Sequence, residues 1–303
     1  MQNELLWYIS LILTILIWWT WLIFSRKQAS KLNNPFLENY FITLGAIIFN
    51  ILVFVWYLLY SWWVEIKISY LIGPFLAWIL WALAWLFAFI ACWKIGVWKA
   101  MSIWAPSGMI VSFLWWILYY NEFSSNLLYA IIAIIIIIIG VSTVIKSREE
   151  KDDKKIVISG ALFAIAAATI WWGTYLIPIK ELSTQVSPFM TLLPLSIWMV
   201  AWASAIAWYK KAFSECSWDI LQQNYLIVLS GFAWAIWNFF AIIAVLNLWM
   251  WKAYPLAELC GVVNALFAIY FLKEMKEKRK IKIFFIWMIV SFAWAIRLSF
   301  LKI

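Results

Sequence analysis

The stretch Asn247–Val262, NLWMWKAYPLAELCGV, holds the residues best suited to chemistry within a long apolar region. Counting from Tyr254, Glu258 and Gly261 follow at the spacing of one helix face. A carboxyl group inside a membrane costs about 2.5–3.5 kcal/mol to insert, so Glu258 is a functional candidate by default. It is suited to carrying a proton or to accepting hydrogen bonds from a hydroxyl-rich ligand. The competing interpretation is a structural ion pair with Lys252.

Two prolines mark segments where a helix would be interrupted, and two glycines mark places where another helix could approach closely. Pro255, at the start of its segment, leaves a backbone carbonyl unpaired, which membranes tolerate where the group lines a cavity. Pro106 and Gly108 occupy a comparable segment earlier in the chain. The side chains on the helix face around Gly108 are mostly small, whereas the face around Gly261 bears the phenol of Tyr254 and the carboxyl of Glu258. We interpret these two faces as the walls of a cleft.

Other candidates carry hydrogen-bonding or aromatic groups. The amide of Asn238 offers two donors and an acceptor, although hydrogen bonding between helices would explain it equally well. Trp234 is suited to stacking on a ring-shaped ligand, or to packing and a membrane-interface role. Thr20 and Thr174 either line a cavity or bond back to their own helices.

The residue types that are missing exclude several kinds of chemistry. The chain contains no histidine, so it has no histidine proton relay, no histidine-ligated metal and no Ser-His catalysis. Its three cysteines form no motif. A membrane-embedded enzyme would need a set such as paired aspartates, but Asp152 and Asp153 lie in a charge-balanced polar linker. We therefore expect no metal, no cofactor and no enzymatic activity.

Composition defines the elements that must position these residues. The 303 residues are 67% hydrophobic and 12% charged, with a mean hydropathy of +0.93, whereas soluble domains carry about 25% charged residues. The apolar residues come in runs of roughly 20, the length that crosses a bilayer. We predict an all-α integral membrane protein with ten transmembrane helices, near 5–24, 40–62, 69–93, 99–120, 126–145, 156–178, 188–208, 224–246, 251–272 and 282–301.

Charge predicts the orientation of these helices. Most of the 23 Lys and Arg fall in alternate loops, which include the polar linker 147–155. By the positive-inside rule, this linker faces the cytoplasm and both termini face outward across a plasma membrane. Lys99 and Lys252, at helix starts, are expected to snorkel to the interface. Loop location thus accounts for the net charge of +9, and no nucleic-acid partner is expected.

The two halves of the chain, 1–146 and 156–303, resemble each other. Shifting by 153 positions places WALAWLFAFIACWKIGVWKA (81–100) on WAIWNFFAIIAVLNLWMWKA (234–253). Four pairs then coincide: Trp81 with Trp234, Ala91 with Ala244, Lys99 with Lys252, and Gly108 with Gly261. With five spans in each, the halves would lie in opposite directions. Inverted repeats of this kind are typical of secondary transporters that bind substrate near the midplane.

A family resemblance follows from these motifs. The segments WGTYLIPIK (172–180), GFAWAIWN (231–238), WKAYPLAELCGVVNALFAIYFLKE (251–274) and IGVWKAMSIWAPSGMIVSFLW (95–115) resemble the EamA-type glucose/ribose/rhamnose porters of the drug/metabolite transporter superfamily. The resemblance implies a transporter that imports a monosaccharide together with a proton or sodium ion, and that could form a homo-oligomer. The alternative is an exporter of amino acids or other small metabolites from the same superfamily.

Tryptophan usage is anomalous. The chain has 27 Trp and 9 Gly, although glycine averages about 7% of residues. The resembled motifs become regular when four tryptophans are read as glycine, namely Trp19, Trp237, Trp249 and Trp251. We therefore hypothesise that many Trp correspond to UGA codons, which some bacteria decode as glycine. The alternatives are genuine enrichment, as in membrane aromatic belts, and deliberate engineering.

Overall fold

The structure, a computed structural model, is helical wherever it describes regular secondary structure, and no strand occurs among the described residues. These residues are 9–10, 12–14, 17, 25, 32, 34–61, 75–119, 128, 131–132, 134–136, 138–140, 153–171, 187–215, 218–247, 259–274 and 277–299. The first and fifth predicted spans fall largely outside this set. For the described part of the chain, the prediction of an all-α fold is confirmed.

Nine α-helices lie within the described ranges. They are α1 (Pro35–Tyr60), α2 (Phe75–Ile95), α3 (Val97–Leu118), α4 (Lys154–Ile170), α5 (Pro188–Tyr209), α6 (Trp218–Gln223), α7 (Tyr225–Asn247), α8 (Leu259–Tyr270) and α9 (Lys278–Ser299). A 3-10 turn precedes α6. All except the short α6 overlap predicted spans. In the described residues, the segments 35–60, 78–95 and 189–209 are long and apolar enough to cross a membrane.

The helix starts follow from local sequence. Asn34 caps α1, because its side-chain oxygen accepts hydrogen bonds from the backbone N–H groups of Phe36 (3.1 Å) and Leu37 (3.3 Å). Pro35 occupies the first turn, where a missing N–H does no harm. Asp153 caps α4 by accepting from the Lys155 N–H at 2.8 Å. These polar caps fix where the apolar segments begin.

The helices pack in a bundle whose contacts run between distant parts of the chain. Helix α1 packs on α5 and α7, α2 packs on α4 and α5, and α3 packs on α4 and α8. At the crossing of α1 with α7, a Cβ added to Gly45 would overlap the Val228 carbonyl oxygen, and one added to Gly231 would overlap that of Ile42. The two glycines therefore bring these helix backbones into direct contact, as small residues do between membrane helices.

One end of the bundle gathers the ends of several helices. The Trp93 indole N–H donates to Glu38 at 2.8 Å, joining the end of α2 to the start of α1. The Lys210 ammonium nitrogen, just after α5, lies 5.9 Å from the ring centroid of Phe36. The start of α1 and the ends of α2 and α5 therefore lie at one end of the bundle, which we call the basic end because Lys94 and Lys210 lie there.

Candidate functional site

A cluster of tryptophans occupies the buried centre of the described bundle. We call it the indole cluster, and its members come from α2 (Trp81 and Trp85), α3 (Trp104), the end of α4 (Trp171) and α7 (Trp234 and Trp237). None of these side chains is more than 3% exposed. Helices from both halves of the chain therefore contribute rings to one continuous aromatic core.

The shortest ring contact in the cluster joins the two halves. The centroids of Trp81 and Trp234 lie 4.8 Å apart with an interplanar angle of 56°. Trp85 packs edge-on against Trp234 at 5.8 Å and against Trp171 at 5.5 Å. These separations lie within the range of favourable aromatic pairs. Trp234, a candidate from its sequence, thus lies buried at the centre of the cluster.

Several polar atoms in this region have no hydrogen-bond partner among the described residues. They include the indole N–H groups of Trp81 and Trp234. Leaving a buried polar group unpaired costs about 1–3 kcal/mol. A hydroxyl-bearing ligand would supply the missing acceptors.

Asn238 lies beside the cluster on α7. It is four residues after Trp234, which puts the two on one helix face. Its side chain is 2% exposed, and its Nδ2 has no hydrogen-bond partner among the described residues. The predicted alternative, a hydrogen bond to another helix, is not found for this Nδ2 within those ranges. An aromatic ring and an amide donor therefore share a buried face.

Helix α3, which carries the candidates Lys99, Pro106 and Gly108, is continuous. Pro106 lies inside α3 and is half-buried. Because proline lacks an N–H, the helix around it loses a backbone bond, and the Ser107 hydroxyl donates to the Ile103 carbonyl at 2.7 Å. Gly108 is buried. Lys99 is 8% exposed, and its Nζ lies 5.4 Å from the neighbouring Trp98 ring centroid.

Six sequence candidates lie outside the described residues: Glu258, Tyr254, Pro255, Lys252, Thr174 and Thr20. Gly261 lies within α8, in its first turn. Among residues 9–10, 12–14 and the other described ranges, no group of three His, Cys, Asp or Glu is arranged to hold a metal ion.

Sequence reasoning missed three members of the cluster and two carboxylates. Trp85 and Trp104 lie within the quoted repeat and family segments, and Trp171 directly precedes one, but nothing singled these three out as site residues. Trp85 lies one turn after Trp81 and shares its helix face. Glu38 is fully buried and accepts from the Ser25 hydroxyl at 2.6 Å as well as from Trp93. Glu38 could have been identified from the sequence, because it is an acidic residue in the first turn of an apolar helix. Nothing in the sequence indicated the contact of Glu274 described below.

The fold and its buried centre define a helical membrane protein with a polar-aromatic core shared by two halves. The model of the family described as "Sugar transport protein" matches residues 9–301. The chain therefore belongs to the sugar transport protein family, and this membership points to a membrane-embedded sugar transporter.

Comparison with solved structures supports the fold. One chain, described only as "Crystal structure of protein", superposes with a TM-score of 0.61 at 15% sequence identity. The match covers 96% of both chains. No curated protein matches the sequence.

Proposed function

We propose that the protein imports a monosaccharide across the plasma membrane by alternating access, coupled to a proton or a sodium ion. In this proposal the two five-span halves, of the drug/metabolite transporter type, lie inverted about the indole cluster and rock around it. The observation that carries the proposal is the contact of Trp81 with Trp234. These residues are 153 positions apart and match each other in the repeat, yet their rings lie 4.8 Å apart.

Contact between matching residues supports the repeat, because symmetry-related residues touch only beside the symmetry axis. The same reasoning applies to whole helices. Helix α1 matches α5 and packs on it, and α3 matches α8 and packs on it. The axis of the proposed repeat would therefore pass through the indole cluster, where inverted-repeat transporters bind substrate.

The chemistry of the cluster suits a sugar. A pyranose presents an apolar face that stacks on an aromatic ring and a rim of hydroxyls that need hydrogen bonds. Trp234 supplies the ring, and Asn238 on the same helix face supplies amide groups that both donate and accept. The indole N–H groups that lack partners among the described residues add further donors.

Glu258 is the proposed coupling group. Its place in the sequence puts a carboxyl within the ninth predicted span, four residues after Tyr254. Protonation of this group on one side and release on the other would couple the sugar to a proton gradient. A Glu258→Gln variant should exchange sugar across the membrane but lose accumulation driven by a pH gradient. Equal accumulation by the variant and the wild type would exclude Glu258 from coupling.

Sugar counterflow tests transport itself. Purified protein in proteoliposomes loaded with unlabelled monosaccharides should take up the labelled form of at least one of them. Asn238→Ala should reduce this uptake by about tenfold or more, because the amide's hydrogen bond to the sugar is lost and a sugar hydroxyl is left buried without a partner. Asn224→Ala is the matched control, since Asn224 lies at the start of α7 and bonds locally to the Ile220 carbonyl at 2.7 Å. Counterflow of amino acids but of no sugar would contradict the proposal and favour the exporter.

We also propose that many of the printed tryptophans are glycine in the functioning protein. The glycines of the α1–α7 crossing match tryptophans in the equivalent crossing of α2 with α5, since Gly45 matches Trp198 and Gly231 matches Trp78. Trp78 and Trp198 stack against each other at 6.0 Å with an interplanar angle of 22°. Two glycines that meet in one crossing thus correspond to two tryptophans that meet in the other.

A third glycine, Gly96, also supports this proposal. Gly96 has φ +79°, and a Cβ there would lie 3.0 Å from the Glu274 carboxylate. A left-handed, crowded position of this kind requires glycine. Its match in the second half is Trp249, one of the four tryptophans that the motifs favour as glycine.

Peptide mass spectrometry of the protein isolated from its native source tests the substitution directly. Peptides that contain positions 78, 198, 237 and 249 should carry the mass of glycine at each. Position 234 is the internal control, because it matches Trp81 and should carry tryptophan. Tryptophan at positions 78 and 198 would overturn this proposal without affecting the counterflow test.

A further inference from the structure

A single carboxylate joins the start of α3 to the segment after α8. The Oε2 atom of Glu274 accepts a hydrogen bond from the backbone N–H of Trp98 at 2.9 Å, although the two residues are 176 positions apart. The first turn of a helix has N–H groups without helical partners and a partial positive charge. An anionic acceptor at this position makes a charge-assisted bond, which is stronger than a neutral one.

The end of α8 is shaped to present this carboxylate. Lys273 adopts a left-handed conformation with φ 54°, and the Glu274 N–H donates back to the Ala268 carbonyl at 3.3 Å. This bond closes the segment from Ala268 to Glu274 back onto the last turn of α8. It turns the chain sharply after α8 and fixes the position of Glu274 relative to that helix.

The start of α3 is shaped to receive it. Gly96 links α2 to α3 with φ +79°, a conformation that glycine adopts without penalty. A Cβ at Gly96 would lie 3.0 Å from Oε2 of Glu274, so glycine also makes room for the carboxylate. The bond uses the backbone of Trp98 and does not depend on the identity of that side chain.

The location of the bond relates it to the candidate site. It joins a helix of the first half to a loop of the second, at the end of the bundle where Glu38 bonds Trp93. Trp104 of the indole cluster lies six residues further along α3, roughly 9 Å deeper at 1.5 Å per residue. In the predicted orientation, the Glu274 bond therefore lies between the cluster and the cytoplasm.

We propose that Glu274 is a latch that holds the cytoplasmic side closed by tying the end of α8 to the start of α3. This inference rests on the proposed alternating access. Opening toward the cytoplasm separates the two halves at this end, which breaks the bond and returns the first turn of α3 to water. Re-forming the bond favours the outward-facing state. Loss of the carboxylate shifts the population toward the inward-facing state.

The test measures accessibility from each side and does not require a sugar. In a background with Cys92, Cys216 and Cys260 replaced by Ala, a reporter cysteine is placed by Ala100→Cys, two residues after Trp98 on α3, where Ala100 is fully buried. A second reporter, Met190→Cys, lies in the first turn of α5, at the opposite end of the bundle. Each reporter is labelled with a membrane-impermeant maleimide, in inside-out and right-side-out vesicles.

Glu274→Ala should raise labelling of the inner reporter by roughly tenfold and lower labelling of the outer one by a similar factor. Glu274→Gln keeps the shape and an acceptor oxygen, so its effect should have the same sign and be smaller. It serves as the test variant if Glu274→Ala does not reach the membrane. The matched control is Glu277→Ala in the same loop, where Glu277 pairs with Lys280 at 2.7 Å.

Each result has a defined meaning. Opposite changes in the two reporters support the latch, whereas no change, or an increase in both, overturns it, because a merely loosened helix end exposes both sides. If the reporters respond as expected but no monosaccharide shows counterflow, the proposed sugar function fails and the latch remains. If sugars exchange but the reporters do not respond, only the latch fails.

Discussion

Two helix crossings in this protein match each other in the sequence but are built differently. Where α1 crosses α7, Gly45 and Gly231 bring the backbones into contact. Where α2 crosses α5, Trp78 and Trp198 stack at 6.0 Å and hold the helices apart. Membrane helices associate mainly through close packing, because lipid gives them little hydrophobic drive. The second crossing therefore lacks the glycine contact that makes the first one close.

The largest expected effect comes from making the first crossing resemble the second. Gly231→Ala would place a Cβ on the Ile42 carbonyl, so the backbones must separate, at a cost of about 3 kcal/mol or more. The variant should lose most of its monodisperse yield and melt well below the wild type in detergent. Leu229→Ala, an exposed position on the same helix, is the control. Equal melting of Gly231→Ala and wild type would mean that this crossing is not close-packed.

The converse change makes the second crossing resemble the first. If glycine belongs at both positions, Trp78→Gly combined with Trp198→Gly should stabilise the chain by about 1–3 kcal/mol, since overpacking is relieved. Trp234→Gly, at a tryptophan whose match is also tryptophan, should instead destabilise it by about 3–5 kcal/mol. Thermal melting of the purified variants measures both effects. A double variant that melts as low as Trp234→Gly would show that the printed tryptophans are native packing residues.

Glu38 and Glu274 lie at the same end of the bundle but join different elements. Removing the charge of Glu38 is expected to have a smaller effect on stability than the changes above. Glu38 accepts from Ser25 and Trp93, which both belong to the first half, whereas Glu274 links the two halves. Glu38→Gln should lower the free energy of unfolding by about 1–3 kcal/mol, because a buried acceptor is weakened. It should leave the inward and outward reporters in their wild-type ratio. A shift in that ratio would assign Glu38 a gating role as well.

The smallest expected effect concerns the two left-handed residues beside the latch. Gly96 adopts φ +79° freely, but Lys273 adopts φ 54° at a cost of about 1 kcal/mol. Lys273→Gly should therefore raise the melting temperature slightly without changing reporter labelling. Gly96→Ala should lower the melting temperature and expose the inner reporter, because its Cβ meets Glu274. A lower melting temperature for Lys273→Gly would mean that this lysine has a compensating partner.

The sequence predicted the helices well because apolar runs and polar caps are local signals. Asn34, Pro35 and Asp153 begin their helices through local chemistry, but the predicted spans began later, at 40 and 156, because they followed only the apolar runs. The short helix α6 was missed, since six residues in a loop give no periodic apolar signal. The contacts of Trp85, Trp104 and Trp171 were also missed, because which rings meet depends on how distant helices cross. Of the predicted site, Asn238 and Trp234 lie together as their spacing implies.

Sugar counterflow with two versions of the chain is the most direct test of the account. One version has the printed sequence, and the other has glycine at positions 19, 78, 198, 237, 249 and 251. We expect the glycine version to exchange at least one monosaccharide, and the printed version to do so much more slowly. Failure of the glycine version to exchange any sugar, although it is folded and reconstituted, would contradict the account.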